Sequence, residues 1–329
     1  MGNIIEIKNL TKRFDKVLAV DNISFSVKQG EIFGFLGPNG AGKTTTLSML
    51  ATLLSPTKGK ASVNGFDIEK QRDNVRHSIG MVFQDPTLDE ELTAYENMDF
   101  HGRLYNVPKN ERKKKIIELL QLVELDKKKN DLVKTFSGGM RRRLEIARGL
   151  LHEPKVLFLD EPTLGLDPQT RNKIWAHIKV LNKEKNVTII LTTHYMDEAD
   201  KLCDRIAIID NGKIVAINTS ANLKNKIGGD IITIGTNERE KLLNILKKYK
   251  FCKSFKEHNS SLTINVEHAE TRVAEIVKLA DRNKITIHTL AINKPTLEDV
   301  FLYYTGKTIR EEEATPEDNF KFRVRRMRR

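Results

Sequence analysis

One glycine-rich segment constrains this chain more than any other part of its sequence. Residues 37–45 read Gly-Pro-Asn-Gly-Ala-Gly-Lys-Thr-Thr, which is the pattern G-x-x-x-x-G-K-T. The segment follows an apolar run at 32–36 and precedes a run with helical character, so it joins a strand to a helix. In that setting glycines let backbone N–H groups face phosphate oxygens, and the helix N-terminus adds partial positive charge. The segment therefore predicts a bound nucleoside triphosphate, the alternative being a chance glycine-rich turn.

Two side chains of this segment have specific expected roles. Lys43 can reach the β- and γ-phosphates, and the Thr44 hydroxyl can ligate Mg²⁺. The other residues contribute backbone groups and close packing around the phosphates. The predicted nucleotide-binding residues here are Gly37, Pro38, Asn39, Gly40, Ala41, Gly42, Lys43, Thr44 and Thr45.

Composition places the chain among globular proteins. Its 329 residues are 39% hydrophobic and 30% charged, which predicts a sizeable core and two domains. No run approaches the ~18–20 consecutive apolar residues that a membrane-spanning helix needs. The two cysteines, Cys203 and Cys252, lie far apart, which favours a reducing, cytoplasmic setting over disulfides or a metal site.

The charge is unevenly distributed. The formal net charge is +12, and part of the excess lies in lysine runs at 113–115 and 127–129. Such runs are usually solvated helix faces, and the absence of interleaved aromatic residues argues against a nucleic-acid partner. An acidic stretch, 311–318, precedes basic residues at 321–329, and we predict a flexible tail over 307–329. Attraction of this tail to an anionic membrane surface and simple solvation both remain open.

Apolar patterns predict an α/β chain with a smaller second domain. Strands are expected at 4–10, 17–20 and 23–27, with a turn at Asp21-Asn22, and a hairpin turn is expected at Asn211-Gly212. Residues 111–122 have helical periodicity. Beyond residue 218 the order strand, helix, strand, helix, strand, with a weak extra strand at 251–256, predicts an α+β domain and suggests a ferredoxin-like arrangement.

An acidic pair follows a second buried strand. Four apolar residues, 156–159, precede Asp160 and Glu161. In open α/β sheets, ligands bind at the carboxyl ends of the strands, which is where this pair lies. Asp160 is therefore expected to hold the Mg²⁺ shell, and Glu161 to polarise an attacking water.

A third motif narrows the family. Residues 136–140 read Phe-Ser-Gly-Gly-Met and lead directly into a predicted helix at 138–152. They resemble the signature motif of ABC-type ATPases, which usually reads Leu-Ser-Gly-Gly-Gln. Physically, Ser137, Gly138 and Gly139 form a second helix N-terminus that can bind an anion. Three arginines, 141–143, follow in the first turn, where positive charge opposes the helix dipole. Their presence is acceptable either if phosphate oxygens approach this end of the helix or if the arginine side chains are solvated.

The other elements of the ABC family follow in order. The resemblance implies that Gln84 contacts Mg²⁺ and the attacking water, that Asp167 belongs to the D-loop, and that His194 contacts the γ-phosphate. Phe14 stands where the family places an aromatic residue against adenine. Residues 137–145, 193–199 and 295–301 look like the ATP-binding subunits of ABC-2-type drug exporters of the daunorubicin-resistance class. The main departure is Met140 in place of Gln, which is usual in that subgroup.

The resemblance covers residues 1–306 and implies a mechanism. Two ATP-binding subunits pair head to tail, each ATP lying between the phosphate loop of one and the signature of the other. Export is performed by a separate membrane permease, which contacts residues 85–134 of the helical subdomain (about 85–152). The subunit is therefore expected to be cytoplasmic and peripheral to the membrane. The implied domains are 1–218 for nucleotide binding and 219–306 for an accessory role. The alternative is a soluble ABC ATPase acting on nucleic acid or the ribosome, but no long coiled coil and no second cassette are present.

Overall fold

The chain divides near residue 217 into two units. The computed structural model describes residues 2–227, 230–258, 261–266 and 269–306, excluding the side chains of 256–258. The predicted tail, 307–329, lies outside the described residues. No helix within the described ranges combines the length and apolar character needed to cross a bilayer.

The first unit contains two sheets and seven α-helices among its described residues. Its strands are β1 (Asn3–Phe14), β2 (Val17–Lys28), β3 (Ile32–Leu36), β4 (Lys58–Val63), β5 (Phe66–Asp67), β6 (Ile79–Val82), β7 (Val156–Asp160), β8 (Thr188–Thr193), β9 (Arg205–Asp210) and β10 (Lys213–Asn218). Its helices are α1 (Lys43–Leu50), α2 (Arg72–Ser78), α3 (Ala94–Leu104), α4 (Lys109–Leu122), α5 (Gly138–Gly149), α6 (Pro168–Lys185) and α7 (Met196–Leu202).

A six-stranded sheet forms the centre of this unit, in the order β10-β9-β3-β8-β7-β6. The five strands from β9 to β6 are mutually parallel. Every residue of β3, β7 and β8 is buried, as expected for central strands of a parallel sheet that is covered on both faces. The predicted hairpin turn between β9 and β10 is confirmed, because Asn211 and Gly212 both have positive φ, 47° and 77°.

The second sheet corrects one prediction. It runs β2-β1-β4-β5, and β1 pairs antiparallel with both β2 and β4. The turn expected at Asp21-Asn22 is wrong, because β2 continues through both residues. Between the pairs Leu10↔Ile23 and Lys12↔Val20, β2 holds one extra residue. A β-bulge absorbs it, with Asn22 in the left-handed region at φ 53°, so a turn-like dipeptide bends a strand without ending it.

The predicted helical subdomain contains α3, α4 and α5. The N-terminus of α3 has a capping box in which the Thr93 side chain and Glu96 satisfy each other's backbone N–H groups. Arg112 of α4 ties the two helices together, because its Nε lies 2.6 Å from Asp99 Oδ1 and its Nη1 2.6 Å from Val107 O. Helix α5 ends at Gly149, three residues before the predicted boundary.

The second unit is a smaller α+β fold. Its described elements are α8 (Ser220–Lys226), β11 (Asp230–Gly235), α9 (Arg239–Leu246), β12 (Cys252–His258), β13 (Ser261–Val266), α10 (Ala269–Arg282), β14 (Thr289–Asn293) and α11 (Leu297–Thr305).

The second unit has the β-α-β-β-α-β order of a ferredoxin-like fold. Its sheet order is β12-β13-β11-β14, with every neighbouring pair antiparallel. Alternate residues of β11 and β13, such as Ile232 and Ile264, are fully buried in a core shared with Leu242 of α9 and Ile276 of α10. The weak strand expected at 251–256 is present as β12. Both parts of the predicted fold class are confirmed.

Candidate functional site

Three parallel strands end side by side and bring the predicted motifs together. Leu36, the last residue of β3, pairs with Thr193 of β8, and Asp160 of β7 pairs with Thr192. The segments that follow these strands carry the phosphate loop, Glu161 and His194. The sequence-distant motifs therefore converge at the carboxyl edge of the sheet, where ligands bind in open α/β folds.

Close backbone contacts determine the shape of the phosphate loop. A Cβ at Gly37 would lie 2.2 Å from Ile209 O, and one at Gly42 would lie 2.4 Å from Ala19 O. Gly42 also has φ 100° and stands immediately before α1, a conformation that L-residues with side chains rarely adopt. Both glycines are therefore needed for the loop to fit between β3 and α1.

Lys43 is held by the loop that contains it. Its side chain is only 4% exposed, and its Nζ donates hydrogen bonds to Gly37 O at 2.8 Å and Pro38 O at 3.0 Å. The same Nζ lies 3.4 Å from Glu161 Oε1. A buried ammonium must be compensated by polar partners, and these carbonyls and the carboxylate compensate it.

Asp160 combines with two threonine hydroxyls. Its Oδ1 accepts hydrogen bonds from Thr44 Oγ1 at 3.0 Å and Thr192 Oγ1 at 2.5 Å. Burial raises the pKa of Asp160, and this effect exceeds the lowering by the hydrogen bonds from Thr192 and Thr44. A bound cation would favour the charged carboxylate. Carboxylate and hydroxyl oxygens are the donors that Mg²⁺ prefers, so Asp160 and Thr44 fit such an ion.

Glu161 has a strained backbone and a charged surrounding. Its φ is 47°, and its N–H donates to Thr192 Oγ1 at 3.0 Å. Its Oε2 lies 3.1 Å from His194 Nδ1, so Nδ1 carries the proton when the carboxylate is ionised. Burial alone would raise the pKa of Glu161, but the hydrogen bond from His194 and the charge of Lys43 outweigh it and lower that pKa.

The signature residues begin a different helix. Ser137 caps α5 by accepting a hydrogen bond from Met140 N at 3.3 Å, and Ser137 and Gly138 are exposed. Gly139 packs so closely that a Cβ there would lie 2.3 Å from Thr170 Cγ2. An open cleft of about 500 Å³ has Gly138, Gln84, Glu161 and Leu166 among its lining residues.

Three other predicted residues have simple placements. Gln84 is exposed and lies two residues beyond β6. Asp167 caps α6 by accepting from the N–H groups of Gln169 and Thr170, both at 3.0 Å. Phe14 ends β1 with 41% of its surface exposed, and Lys12 Nζ lies 4.9 Å from the centroid of its ring.

The side chains of the arginine run 141–143 are not simply solvated, and the approach of phosphate oxygens to this helix end stays a prediction. All three side chains bond within the chain: Arg141 to Phe136 O, Arg142 to Pro162 O and Arg143 to Val123 O. The sequence indicated only that positive charges lie in the first turn of a predicted helix. It did not indicate that backbone carbonyls would be their partners.

Arg142 supports the candidate site in a way that the sequence did not reveal. It is 7% exposed, and its guanidinium donates to the carbonyls of Asp160, Glu161, Pro162 and Phe83. It also lies 3.0 Å from Glu145 Oε2. One side chain thus supports the backbone of the acidic pair and the end of the segment leading to Gln84.

Comparison with known proteins agrees with this geometry. Residues 20–164 match the family model of ABC transporters, and residues 219–305 match the C-terminal domain of DrrA1-3-like ATP-binding proteins. The chain is 40% identical to the linearmycin resistance ATP-binding protein LnrL of Bacillus subtilis, over 94% of this chain and 100% of that protein. It is 36% identical to the daunorubicin/doxorubicin resistance ATP-binding protein DrrA of Streptomyces peucetius, over 95% and 97%.

The chain belongs to the family of ABC transporter ATP-binding proteins. It is an ATPase of this class. Solved structures agree: cbiO1 of Clostridium perfringens, part of the ABC transporter complex cbiONQ, has a TM-score of 0.65 at 28% identity, covering 75% of this chain and 96% of that one. An ATP-binding cassette in a dimeric post-hydrolysis state with ADP and Pi has a TM-score of 0.58 at 30% identity, covering 65% and 98%.

The pKa values of Asp160 and Glu161 are shifted in opposite directions, which predicts opposite effects of pH on the stability of this ABC ATPase. The pKa of Glu161 is below its ordinary 4.5, which means that folding favours the ionised carboxylate. The stabilisation of the folded state by this carboxylate is therefore present above pH 4.5 and is lost as the pH falls through the lowered folded-state pKa. The pKa of Asp160 is above its ordinary 3.8, which means that folding favours the protonated carboxyl group. The stabilisation of the folded state by this protonated group is therefore present below pH 3.8 and is lost as the pH rises through the raised folded-state pKa.

Urea unfolding of the wild type, Glu161→Gln and Asp160→Asn between about pH 3 and about pH 7 measures both effects. The free energy of unfolding of the wild type relative to Glu161→Gln should increase with pH over the acidic part of this range. Relative to Asp160→Asn it should decrease. The same sign for both variants would contradict the assignment.

Proposed function

We propose that ATP hydrolysis by this subunit drives export of a small toxic compound through a separate membrane permease. The convergence of Lys43, Asp160, Glu161 and His194 at one sheet edge carries the proposal, because these groups can bind a triphosphate and activate a water. The export role is supported by the relatives, which are named for resistance to linearmycin and daunorubicin. Residues 1–218 would form the nucleotide-binding domain and 219–306 the accessory domain.

The proposed working unit is a head-to-tail pair, most simply two copies of this chain. The phosphate loop and the signature lie on different elements, and Ser137 and Gly138 are exposed at the start of α5. A helix N-terminus attracts phosphate oxygens. Each ATP would therefore lie between residues 37–45 of one copy and residues 137–139 of the other, with Asp167 at the same face. Hydrolysis adds charge repulsion between the products and opens the pair.

Each site residue receives a role in this proposal. Glu161 accepts a proton from the attacking water, and His194 and Gln84 orient that water and the γ-phosphate. Lys43 neutralises phosphate charge, and Phe14 stacks on adenine. Thr44, Gln84 and Asp160 would hold Mg²⁺, which would neutralise the charge that develops on the phosphate oxygens.

Removing the negative charge of Glu161 should distinguish ATP binding from ATP hydrolysis. Glu161→Gln keeps the shape of the side chain but removes the proton acceptor, so turnover should be lost while ATP binding persists. The ATP-bound pair should then accumulate as a stable dimer. Phosphate release and light scattering with and without ATP measure the two effects. Wild-type turnover in this variant would overturn the role of Glu161.

Lys43→Ala provides the contrasting variant. It removes a charge-assisted contact to phosphate, so ATP affinity should fall by roughly 10- to 150-fold, the equivalent of ~1.5–3 kcal/mol. No ATP-dependent dimer should accumulate at ATP concentrations that saturate Glu161→Gln.

An apolar surface on α3 is the proposed permease contact. Phe100 and Leu104 are one helical turn apart and are 59% and 63% exposed. Two large apolar side chains on one helix face favour burial against another protein. They lie in the helical subdomain, which the family resemblance assigns to the permease.

Replacing Phe100 by Asp should abolish co-purification with the permease while ATP binding by the subunit is retained. An aspartate cannot be buried there without a partner for its charge. Val180→Asp on α6 is the matched control, since Val180 is also exposed, at 38%. Equal loss of the permease in both variants would show that the α3 surface has no special part.

The basic tail is proposed to add attraction to the anionic membrane, placing the subunit at the cytoplasmic membrane surface. Residues 320–329 carry six basic and no acidic residues, and each basic residue near an anionic surface contributes about 1 kcal/mol. Deleting 320–329 should reduce sedimentation with phosphatidylserine-containing liposomes and leave sedimentation with neutral liposomes unchanged. Equal binding of both chains to anionic liposomes would refute the proposal.

A further inference from the structure

An arginine on α6 connects residues 165–167 to His194 and has no part in the roles assigned above. Arg171 Nη2 donates to Leu166 O at 3.3 Å. The guanidinium carbon of the same side chain lies 4.2 Å from the centroid of the Tyr195 ring. This cation–π contact is half-buried, where such contacts are stronger than at exposed sites.

Tyr195 also contacts His194, which is bonded to Glu161 in the proposed catalytic pair. Its ring centroid lies 4.2 Å from that of His194, with an interplanar angle of 45°. Its backbone N–H is held by Thr193 Oγ1 at 2.9 Å. His194 in turn bonds Glu161 at 3.1 Å. A continuous series of contacts therefore runs from the Leu166 carbonyl to the Glu161 carboxylate.

A buried carboxyl group holds the two supporting helices together. Glu198 of α7 is fully buried and accepts hydrogen bonds from Trp175 Nε1 of α6 at 2.9 Å and from Thr163 Oγ1 at 2.8 Å. Because these bonds join α6, α7 and the segment after Glu161, the Arg171–Tyr195 contact cannot relax by separation of the helices.

We propose that Arg171 is a positioning residue for His194 and that it transmits contacts made at residues 165–167 to the imidazole. The inference rests on the proposed roles of His194 and Glu161. Gly165 and Asp167 are exposed beside the Leu166 carbonyl, so a second subunit seated there displaces a group that Arg171 bonds directly. Arg171 holds the Tyr195 ring, and the ring limits the rotation of His194.

Steady-state ATP hydrolysis by the full chain tests this role. Arg171→Met should lower kcat about tenfold, because His194 samples unproductive orientations, while KM for ATP changes less than about twofold. Arg205→Met is the matched control. Arg205 also lies over an aromatic ring, 5.4 Å from the Phe33 centroid, and also donates to a backbone carbonyl, that of Ser26, but it is outside the proposed site. Because Arg205 also pairs with the buried Glu31 at 3.2 Å, its replacement is the more demanding of the two for folding. Equal kcat in both variants would overturn the inference.

A double-mutant cycle separates positioning from general structural support. In a His194→Ala background Arg171→Met should cause no further loss of kcat, because its effect acts through the imidazole. Independent losses that multiply would refute the proposal. Tyr195→Phe should retain activity and Tyr195→Leu should reproduce the loss. This pair carries the test by itself should Arg171→Met fail to fold, and equal activities of the two would count against the proposal.

The outcomes also distinguish this inference from the function on which it rests. If Glu161→Gln has wild-type turnover, the proposed catalytic roles fail. If Glu161→Gln is inactive while Arg171→Met retains wild-type kcat, those roles stand and only the positioning role of Arg171 is refuted.

Discussion

A buried ammonium at the start of α1 faces a buried carboxylate just beyond the end of β7, and the rest of the site is arranged around this pair. Lys43 and Glu161 lie 3.4 Å apart, and neither is more than 7% exposed. Charges withdrawn from water need partners, which the Gly37 and Pro38 carbonyls and His194 provide. These partners meet only because parallel strands β3, β7 and β8 end at one edge, so the local chemistry depends on the register of the whole sheet.

The two neighbouring acids are differentiated by their surroundings. Asp160 is bonded by neutral hydroxyl groups, and burial raises its pKa. Glu161 lies beside Lys43 and His194, which lower its pKa despite burial. Adjacent carboxyl groups thus acquire different proton affinities: Glu161 is held in its ionised form by its positive neighbours, whereas the ionised form of Asp160 would gain from a bound cation.

Much of this arrangement follows from local sequence, because phosphate loops and strand-end acids need particular residues at fixed spacings. Such spacing predicted the loop at residues 37–45. The Asn211-Gly212 dipeptide predicted the hairpin, and the alternation of strand and helix patterns predicted the α+β fold of the second unit. The bulge at Asn22 was not predictable, since a left-handed asparagine can end a strand or bend it, and pairing with β1 decides which. Nor were the partners of Arg142, because those carbonyls come from segments distant in sequence.

The bonds of Arg142 have a mechanical consequence. Its guanidinium joins α5 to the backbone of Asp160, Glu161 and Pro162 and to Phe83 O. Withdrawing it would remove a donor from each of these carbonyls, and a buried carbonyl left without any donor costs about 1–3 kcal/mol. Helix α5 is therefore coupled to the end of β7 by side-chain bonds as well as by the intervening chain. A displacement of α5 would strain the backbone of the acidic pair directly, without passing through the rest of the sheet.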